Sequence, residues 1–288
     1  MDKVKKVYVD SRYKTNDSVS NSDFKFELKE SLDLPDNTVC YIDDICIPHS
    51  WYTIEEYNNK LYIVTNLTDS DGYNFYNTFA LEIPAGNYNG SSLATAIQEE
   101  LQYAEPTHNF IVVYNSNRGS ITIKSSSSLF TVLSDRQVSD FSNNTSVNWV
   151  NKDKESVSIN LYHPLSLNEV LRHNESSPFL PWINEGVNEF ESGFIDLLNV
   201  HNIYIHSSDL GHYNSIGVRG ENTIIKKIPV SSSYGFLIVD SVISQHDKID
   251  VSKQLIKTLH FSLKNVHGNV IDLHSAHISL SIIFVTAA

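Results

Sequence analysis

Alternation of apolar and polar residues predicts a β-strand over residues 24–29, whose sequence is FKFELK. Side chains two apart lie on the same face of a strand, so this strand has one apolar and one polar face. Residues 34–37 (LPDN) then predict a turn, because proline fixes φ and Asp and Asn side chains bond the nearby backbone.

Residues 39–47 (VCYIDDICI) predict a second strand that is apolar on both faces. Simple alternation places on one face Val39, Tyr41, Ile45 and Ile47, and on the other Cys40, Ile42 and Cys46. A strand of this kind is covered on both sides, so the second cover comes from a helix, a loop or another subunit. The adjacent carboxylates of Asp43 and Asp44 interrupt the run, and we expect them to have partners or to lie at a bulge.

The same patterning predicts many further strands and two short helices. The strands are expected at 4–9, 60–65, 75–83, 110–114, 120–124, 202–206, 223–230, 235–241, 254–264 and 276–285. One helix runs from Ser91 to about Tyr103, with Leu93, Ile97 and Leu101 in one stripe. The second starts at a capping box at Ser166 and runs to about His173. This content predicts an all-β fold, an antiparallel β-sandwich.

Composition narrows the class of protein. A chain of 288 residues with 41% hydrophobic residues can bury a large core without disulfides. Its formal charge of −13 disfavours sequence-independent nucleic-acid binding by the body of the protein. The basic residues Lys3, Lys5 and Lys6 form a small tip, which is either a solvated terminus or a contact with packaged nucleic acid.

The cysteines and the apolar runs indicate the compartment. Cys40 and Cys46 are six residues apart on one predicted strand, roughly 20 Å at about 3.3 Å per residue, too far to form a disulfide. We interpret them as buried thiols of a protein made in a reducing compartment. The sequence has neither an apolar leader at its start nor an 18-residue apolar run. We therefore expect no membrane span and no standard secretion.

Candidate catalytic chemistry is sparse, and we expect no enzyme activity, no cofactor and no metal. The motifs of nucleophile elbows, phosphate-binding loops and zinc proteases are all missing from the sequence. The tightest histidine group, His267, His274 and His277, includes an odd spacing that separates faces on a strand. Asp43 and Asp44 as neighbours on a strand would face opposite ways, which argues against an acid/base pair.

A hydrolytic triad can also be imagined in one glycine-rich loop. It would combine His206, Asp209 and His212 with Ser207. The loop carries neither a signature of an oxyanion hole nor an orienting scaffold, so we expect these residues to have no catalytic role.

Several segments together resemble a known family. They are VYVDSRY (residues 7–13), SDFKFEL (22–28), LPDNTVCYIDDICIPHSWYTI (34–54), IPAGNY (83–88) and LHFSLKNVHGNVIDL (259–273). In this order they resemble the minor capsid, or penton, protein of Polinton/Maverick elements and their virophage and adenovirus-like relatives. Residues 105–190 match poorly.

The resemblance implies a single jelly-roll subunit that forms homopentamers at the five-fold vertices of an icosahedral virion. The faces of such a shell are built from a separate double jelly-roll major capsid protein. It also implies production in the host cytoplasm. We expect residues 1–22 to form an N-terminal arm and residues 23–288 one jelly-roll domain. An insertion around 86–190 in an inter-strand loop is expected to project from the shell. A host receptor or glycan is a further expected partner of the chain.

The doubly apolar strand and these motifs suggest where copies of the chain would meet. The expected interface residues are Tyr8, Arg12, Tyr41, Asp43, Asp44, Trp51 and Tyr52. For Trp51 the alternative is that its ring covers the core of the sandwich.

Two other functions stay open at this point. One is a carbohydrate- or receptor-binding β-sandwich, suggested by aromatic residues and long polar loops. The other is a cupin-like enzyme, which would need histidines and a carboxylate to converge inside the barrel.

Overall fold

A computed structural model describes residues 3–68, 74–126, 129–144, 147–159, 166–172, 187–210 and 215–287. The chain divides into two compact units. Unit 1 comprises Met1–Trp51 and Val200–Ala288, and unit 2 comprises Tyr52–Asn199. Unit 2 is thus a continuous segment between two parts of unit 1 in the sequence.

Unit 1 is an antiparallel β-sandwich of two sheets. Its strands are β1 (Lys3–Asp10), β2 (Asp23–Asp33), β3 (Thr38–Pro48), β10 (Asn202–His206), β11 (Ile224–Pro229), β12 (Leu237–Asp240), β13 (Ile249–Asp250), β14 (Leu255–Lys264) and β15 (Ser279–Thr286). The first sheet has the order β1-β15-β3-β12, with the short β13 also on β3, and the second has the order β11-β10-β14-β2. Neighbouring strands are antiparallel throughout.

This strand order is that of a jelly roll. Counted along unit 1 without the two-residue β13, the sheets have the orders 1-8-3-6 and 5-4-7-2. Consecutive strands therefore cross repeatedly between the two sheets, as two interlocked Greek keys require. The all-β sandwich predicted from the sequence is confirmed.

The first residues differ from the expected arm. Lys3–Asp10 form strand β1, which pairs with β15 along its whole length, from Lys3 opposite Thr286 to Asp10 opposite Ser279. Within residues 3–22, the described part of the expected arm, only the segment between the short 3-10 helix Ser11–Tyr13 and β2 lies outside regular structure. The difference arises because every residue of β1 lies opposite a residue of β15, so its backbone has hydrogen-bond partners within the sheet.

A bulge in β3 changes which residues face the core. Ser281 of β15 lies opposite Asp44, but the next residue, Ile282, lies opposite Ile42, so Asp43 is the extra residue. Simple alternation therefore fails beyond Asp43. The inward side chains are Thr38, Cys40, Ile42, Ile45 and Ile47, all buried.

The prediction of the two faces of β3 was consequently wrong. Cys40 is fully buried and Cys46 is half-buried on the opposite face; both are free thiols. The outward face is less apolar than the sequence suggested, because the bulge moves Ile45 and Ile47 inward.

The core of unit 1 lies between the two sheets. Ile282 and Phe284 of β15 and Leu259 and Phe261 of β14 are all buried in it. The rings of Phe24 and Phe261, on paired strands of the second sheet, have centroids 5.7 Å apart. Aromatic pairs at this spacing are favourable beyond their buried area.

Unit 2 contains two three-stranded antiparallel sheets and three α-helices among the described residues. The elements are β4 (Lys60–Thr68), β5 (Asn74–Glu82), α1 (Gly90–Ala104), β6 (Phe110–Asn115), β7 (Ser120–Ser125), β8 (Phe130–Val132), α2 (Asp135–Asn144), α3 (Asn168–Leu171) and β9 (Glu189–Glu191). The sheets have the orders β5-β4-β8 and β6-β7-β9. The stripe of Leu93, Ile97 and Leu101 on α1 is buried in the core of this unit.

The helices agree only in part with the expectation of two. Helix α1 is present, but its N-cap is Asn89, which forms a capping box with Ser92. The capping box expected at Ser166 is not formed; α3 follows Leu167, which provides no side-chain cap. The expected end at His173 lies outside the described residues.

Helix α2 was missed because its segment is rich in Ser and Asn. A signal was nevertheless present, since Ser134 and Gln137 bond each other's backbone N–H groups as a capping box.

Candidate functional site

The first sheet of unit 1 has a second face, opposite the core, that carries many exposed apolar side chains. We call it the outer face, and it consists of Val4, Lys6 and Tyr8 of β1, Ser281, Ile283 and Val285 of β15, Val39, Tyr41, Asp43, Asp44 and Cys46 of β3, and Leu237 and Val239 of β12. On β3 the residues of this face are half-buried. On the two edge strands they are exposed.

Strand register aligns the outer-face residues into rows across the sheet. In one row Val4 lies opposite Val285, which lies opposite Val39. At the other side of the sheet Val239 lies opposite Cys46. Directly opposed side chains on one face contact each other, so the apolar groups are in contact within each row.

A charged cluster lies at the centre of this face. The Lys6 ammonium is 2.6 Å from a carboxylate oxygen of Asp43 and 3.7 Å from one of Asp44. Ser281 donates its hydroxyl to Asp44. The hydrogen bond to Asp43 raises the pKa of Lys6, so the ammonium stays charged between its two carboxylates.

The bulge makes this cluster possible. On a regular strand Asp43 and Asp44 would face opposite ways, as simple alternation predicts. The extra residue of the bulge lets both carboxylates reach the same ammonium. The pair therefore has the partner that buried or half-buried carboxylates require.

The outer face ends at two edge strands with different exposed residues. At the β1 end Val4 is 60% and Tyr8 is 72% exposed; at the β12 end Leu237 is 58% and Val239 is 60% exposed. Exposed apolar groups continue beyond each end, at Tyr13 after β1 and at Phe236 and Val242 around β12. Large apolar groups on edge strands favour contact with another chain.

Four of the seven expected interface residues come together on this face: Tyr8, Tyr41, Asp43 and Asp44. Arg12 lies in the 3-10 helix after β1 and binds Asp10 with two nitrogens, at 2.9 Å and 2.6 Å. That ion pair lowers the pKa of Asp10. Arg12 is thus already engaged within the chain.

The other two expected residues lie elsewhere. Trp51 is 2% exposed in the core of unit 1 and stacks on His49, with ring centroids 4.2 Å apart. Its expected place in an interface is corrected to the alternative, a core position. Tyr52 is half-buried at the start of unit 2 and is not part of the outer face.

The sequence analysis did not identify the β12 end of the outer face as a candidate interface. Its signal was present, because residues 236–239 (FLIV) are apolar at every position. In the structure Ile238 is buried while Leu237 and Val239 face outward.

The alternative sites lack the required geometry. No group of three His, Cys, Asp or Glu side chains suited to a metal occurs within the described ranges. His206 bonds the Thr223 hydroxyl, whereas Asp209 accepts from the backbone of His260, so the imagined triad is not assembled; its His212 lies outside the described residues. In that described part, no helix is long and apolar enough to cross a membrane.

Comparisons with known proteins give likenesses in structure. No protein-family model matches the chain, and no curated protein matches it in sequence. Among solved structures, the mavirus penton protein is similar over 98% of this chain and 99% of that chain, with 12% identity and a TM-score of 0.49.

Proposed function

We propose that this protein is a structural capsid subunit, a penton-like protein that forms a homopentameric ring at the vertices of an icosahedral shell. The observation that carries the proposal is the outer face, which exposes apolar side chains on both edge strands of a sandwich whose own core is already closed. The sequence resemblance of residues 7–54 supplies the kind of assembly.

The two ends of the outer face suit a ring. A closed ring needs a head-to-tail contact between two different surfaces of the subunit. In our proposal the β1 end of one subunit, with Val4 and Tyr8, meets the β12 end of the next, with Leu237 and Val239. Obligate interfaces of this kind are large and apolar.

The charged cluster is compatible with burial in such a contact. Lys6 hydrogen-bonds Asp43 and balances one carboxylate, and Ser281 donates to Asp44, so both carboxylates keep a donor when the remaining single negative charge leaves water. The cluster would then fix the register of the contact, as polar groups in apolar interfaces do.

The two-unit chain fits this arrangement. We propose that unit 1 is the capsid-forming jelly roll and that unit 2 is its insertion, with bounds of Tyr52–Asn199 in place of the expected 86–190. The proposed partners are other copies of the chain and a double jelly-roll major capsid protein, and the proposed location is the virion.

The direct test is the mass of the purified protein in solution. Sedimentation velocity over a range of protein and salt concentrations should show a species of five times the chain mass, and electron micrographs should show five-fold rings. A protein that stays monomeric at tens of micromolar in all conditions would refute the assembly.

The head-to-tail arrangement has its own test. A variant damaged only at the β1 end (Tyr8→Asp) and one damaged only at the β12 end (Leu237→Asp) should each fail to form rings. Mixed together they should form a dimer, because one undamaged pair of ends remains. Without dimers in the mixture, the proposed pairing of the two ends is wrong.

A further inference from the structure

The first sheet of unit 1 has two edges whose strands run in opposite directions. One edge is β1, and the other carries β12 and β13, which pair with different stretches of β3. Neighbouring strands of this sheet are antiparallel, and three pairings separate the two edges. Strands β12 and β13 therefore run opposite to β1.

A ring of identical subunits restricts how these edges can meet. A closed ring is generated by rotation alone, without a shift along its axis. After such a rotation two sheet edges lie alongside each other over their length only if the axis runs along the strands. Every residue then keeps its height along the axis, and β1 of one subunit lies antiparallel to β12 and β13 of the next. The register inside one sheet thus predicts the register between two subunits.

Two rows of residues across the sheet give this register. The row that starts at Val4 passes through β15 and β3 and ends at Asp250 of β13. The row that starts at Asp10 ends in the same way at Val239 of β12. In the ring, Val4 of one subunit therefore comes to the height of Asp250 of the next. The two rows are roughly 20 Å apart at about 3.3 Å per residue, so they form separate contacts.

Charges of opposite sign lie at the two ends of the first row. Lys3 and Lys5 flank Val4 on β1, and both are exposed. Asp250 is exposed at the end of β13. Within one chain these lysines and Asp250 lie on opposite edges of the sheet, three strand spacings or about 14 Å apart. They can therefore meet only across a boundary between subunits.

The neighbouring charges preserve this match. Residues 247–250 (DKID) contain two carboxylates and one ammonium, so this part of the edge is negative overall. On β1, Lys6 is already bound to Asp43 at 2.6 Å, which leaves Lys3 and Lys5 to meet the negative edge. Complementary potentials on two surfaces select the partner and fix the register of the contact.

We propose that Lys3 and Lys5 of one subunit form ion pairs with Asp250 of the next, and that these pairs set the register of the ring. The proposal rests on the head-to-tail ring of the proposed function and adds the residues by which one copy recognises its neighbour. It also gives the basic tip a role other than that of a solvated terminus or a contact with nucleic acid.

Reversal of charge tests the pairing. Lys3→Glu combined with Lys5→Glu, and separately Asp250→Lys, should each raise the protein concentration at half-assembly by about tenfold, because like charges then face each other in every contact. The triple variant restores opposite charges and should assemble at a concentration within about threefold of that of the wild type. Mass photometry across a dilution series measures these concentrations.

Two control variants separate the pairing from other effects. Glu99→Lys, at an exposed position on α1, makes the same change of charge in unit 2 and should assemble as the wild type does. Asp250 Oδ1 accepts the backbone N–H of Ser252, and Asp250→Asn keeps a carbonyl acceptor there. Asp250→Asn should therefore keep the thermal midpoint of the wild type and still weaken assembly, by a smaller factor than Asp250→Lys.

A zero-length carbodiimide cross-link gives a direct readout on the wild-type protein. Rings are assembled from a mixture of unlabelled and isotope-labelled chains, cross-linked and digested. Mass spectrometry should find an amide between Lys3 or Lys5 and Asp250 that joins one unlabelled and one labelled peptide.

The outcomes distinguish this proposal from the ring itself. If rings form equally well in Asp250→Lys and Glu99→Lys, or if the triple variant assembles no better than its parents, the register is wrong while the ring stands. If the wild type forms no rings, the proposed function and the register are both refuted.

Discussion

Replacement of Val239 by aspartate tests the β12 end of the outer face. In the single chain Val239 is 60% exposed, so Val239→Asp should change the free energy of unfolding by no more than about 1 kcal/mol, the span of strand propensities. In the proposed ring the same side chain is buried against the next subunit. An unpaired carboxylate there costs at least about 2 kcal/mol per contact.

The ring amplifies this cost. Five identical contacts lose about 10 kcal/mol in total, and the concentration at half-assembly of a five-chain ring depends on the fourth root of its dissociation constant. The half-assembly concentration should therefore rise by about 70-fold. Sedimentation velocity or mass photometry across a dilution series measures this shift.

The control is Val113→Asp in β6 of unit 2. Val113 is also an exposed strand valine, at 52%, so it carries the same change in strand propensity outside the outer face. It should leave half-assembly unchanged. Equal behaviour of the two variants, with rings still formed, would show that the subunits meet through another surface.

Three further predictions concern thiols, pH and packing. Burial raises the pKa of Cys40 to about 12, so iodoacetamide should label only Cys46 in the native monomer, and assembly should slow that labelling. Mass spectrometry of peptides measures both rates, and equally fast labelling of Cys40 would contradict its burial. Burial lowers the pKa of His108 from 6.5, so the unfolded chain binds this proton first and stability falls as pH drops below about 6.5. His108→Phe should lose less stability than wild type between about pH 7 and pH 5 in urea titrations, and an identical loss would contradict this assignment. Phe261→Ala, at a fully buried ring in unit 1, should cost about 3–5 kcal/mol of unfolding free energy, and a cost below 1 kcal/mol would mean that the core is not packed as described.

Local patterns located most elements of the fold. Alternation found β2 and β15, and the stripe of Leu93, Ile97 and Leu101 found α1, because these segments each bury one face and the period of the apolar residues reports it. Helix α2 escaped because only Val138 and Phe141 of its residues are apolar and its capping box lies in a polar segment.

The candidate site was harder to predict for a physical reason. The sequence identified β3 as apolar on both faces, and it identified Asp43 and Asp44 as residues that need partners or a bulge. It did not reveal which residue is bulged, and a shift of one residue reverses the face of every side chain beyond it. The prediction that Cys40 and Cys46 lie on one face of the strand was wrong for this reason.

The sequence by itself determined the strand content, the single apolar stripe of α1 and the need of the two aspartates for a partner, because these depend on neighbours a few residues apart. Only the tertiary structure decided that Lys6 is that partner, that Trp51 is core, and that β1 and β12 are the two edges of one sheet. Those facts depend on which strands pair, and pairing joins residues more than 200 positions apart, such as Lys3 and Thr286. Local periodicity carries no information on such a pair.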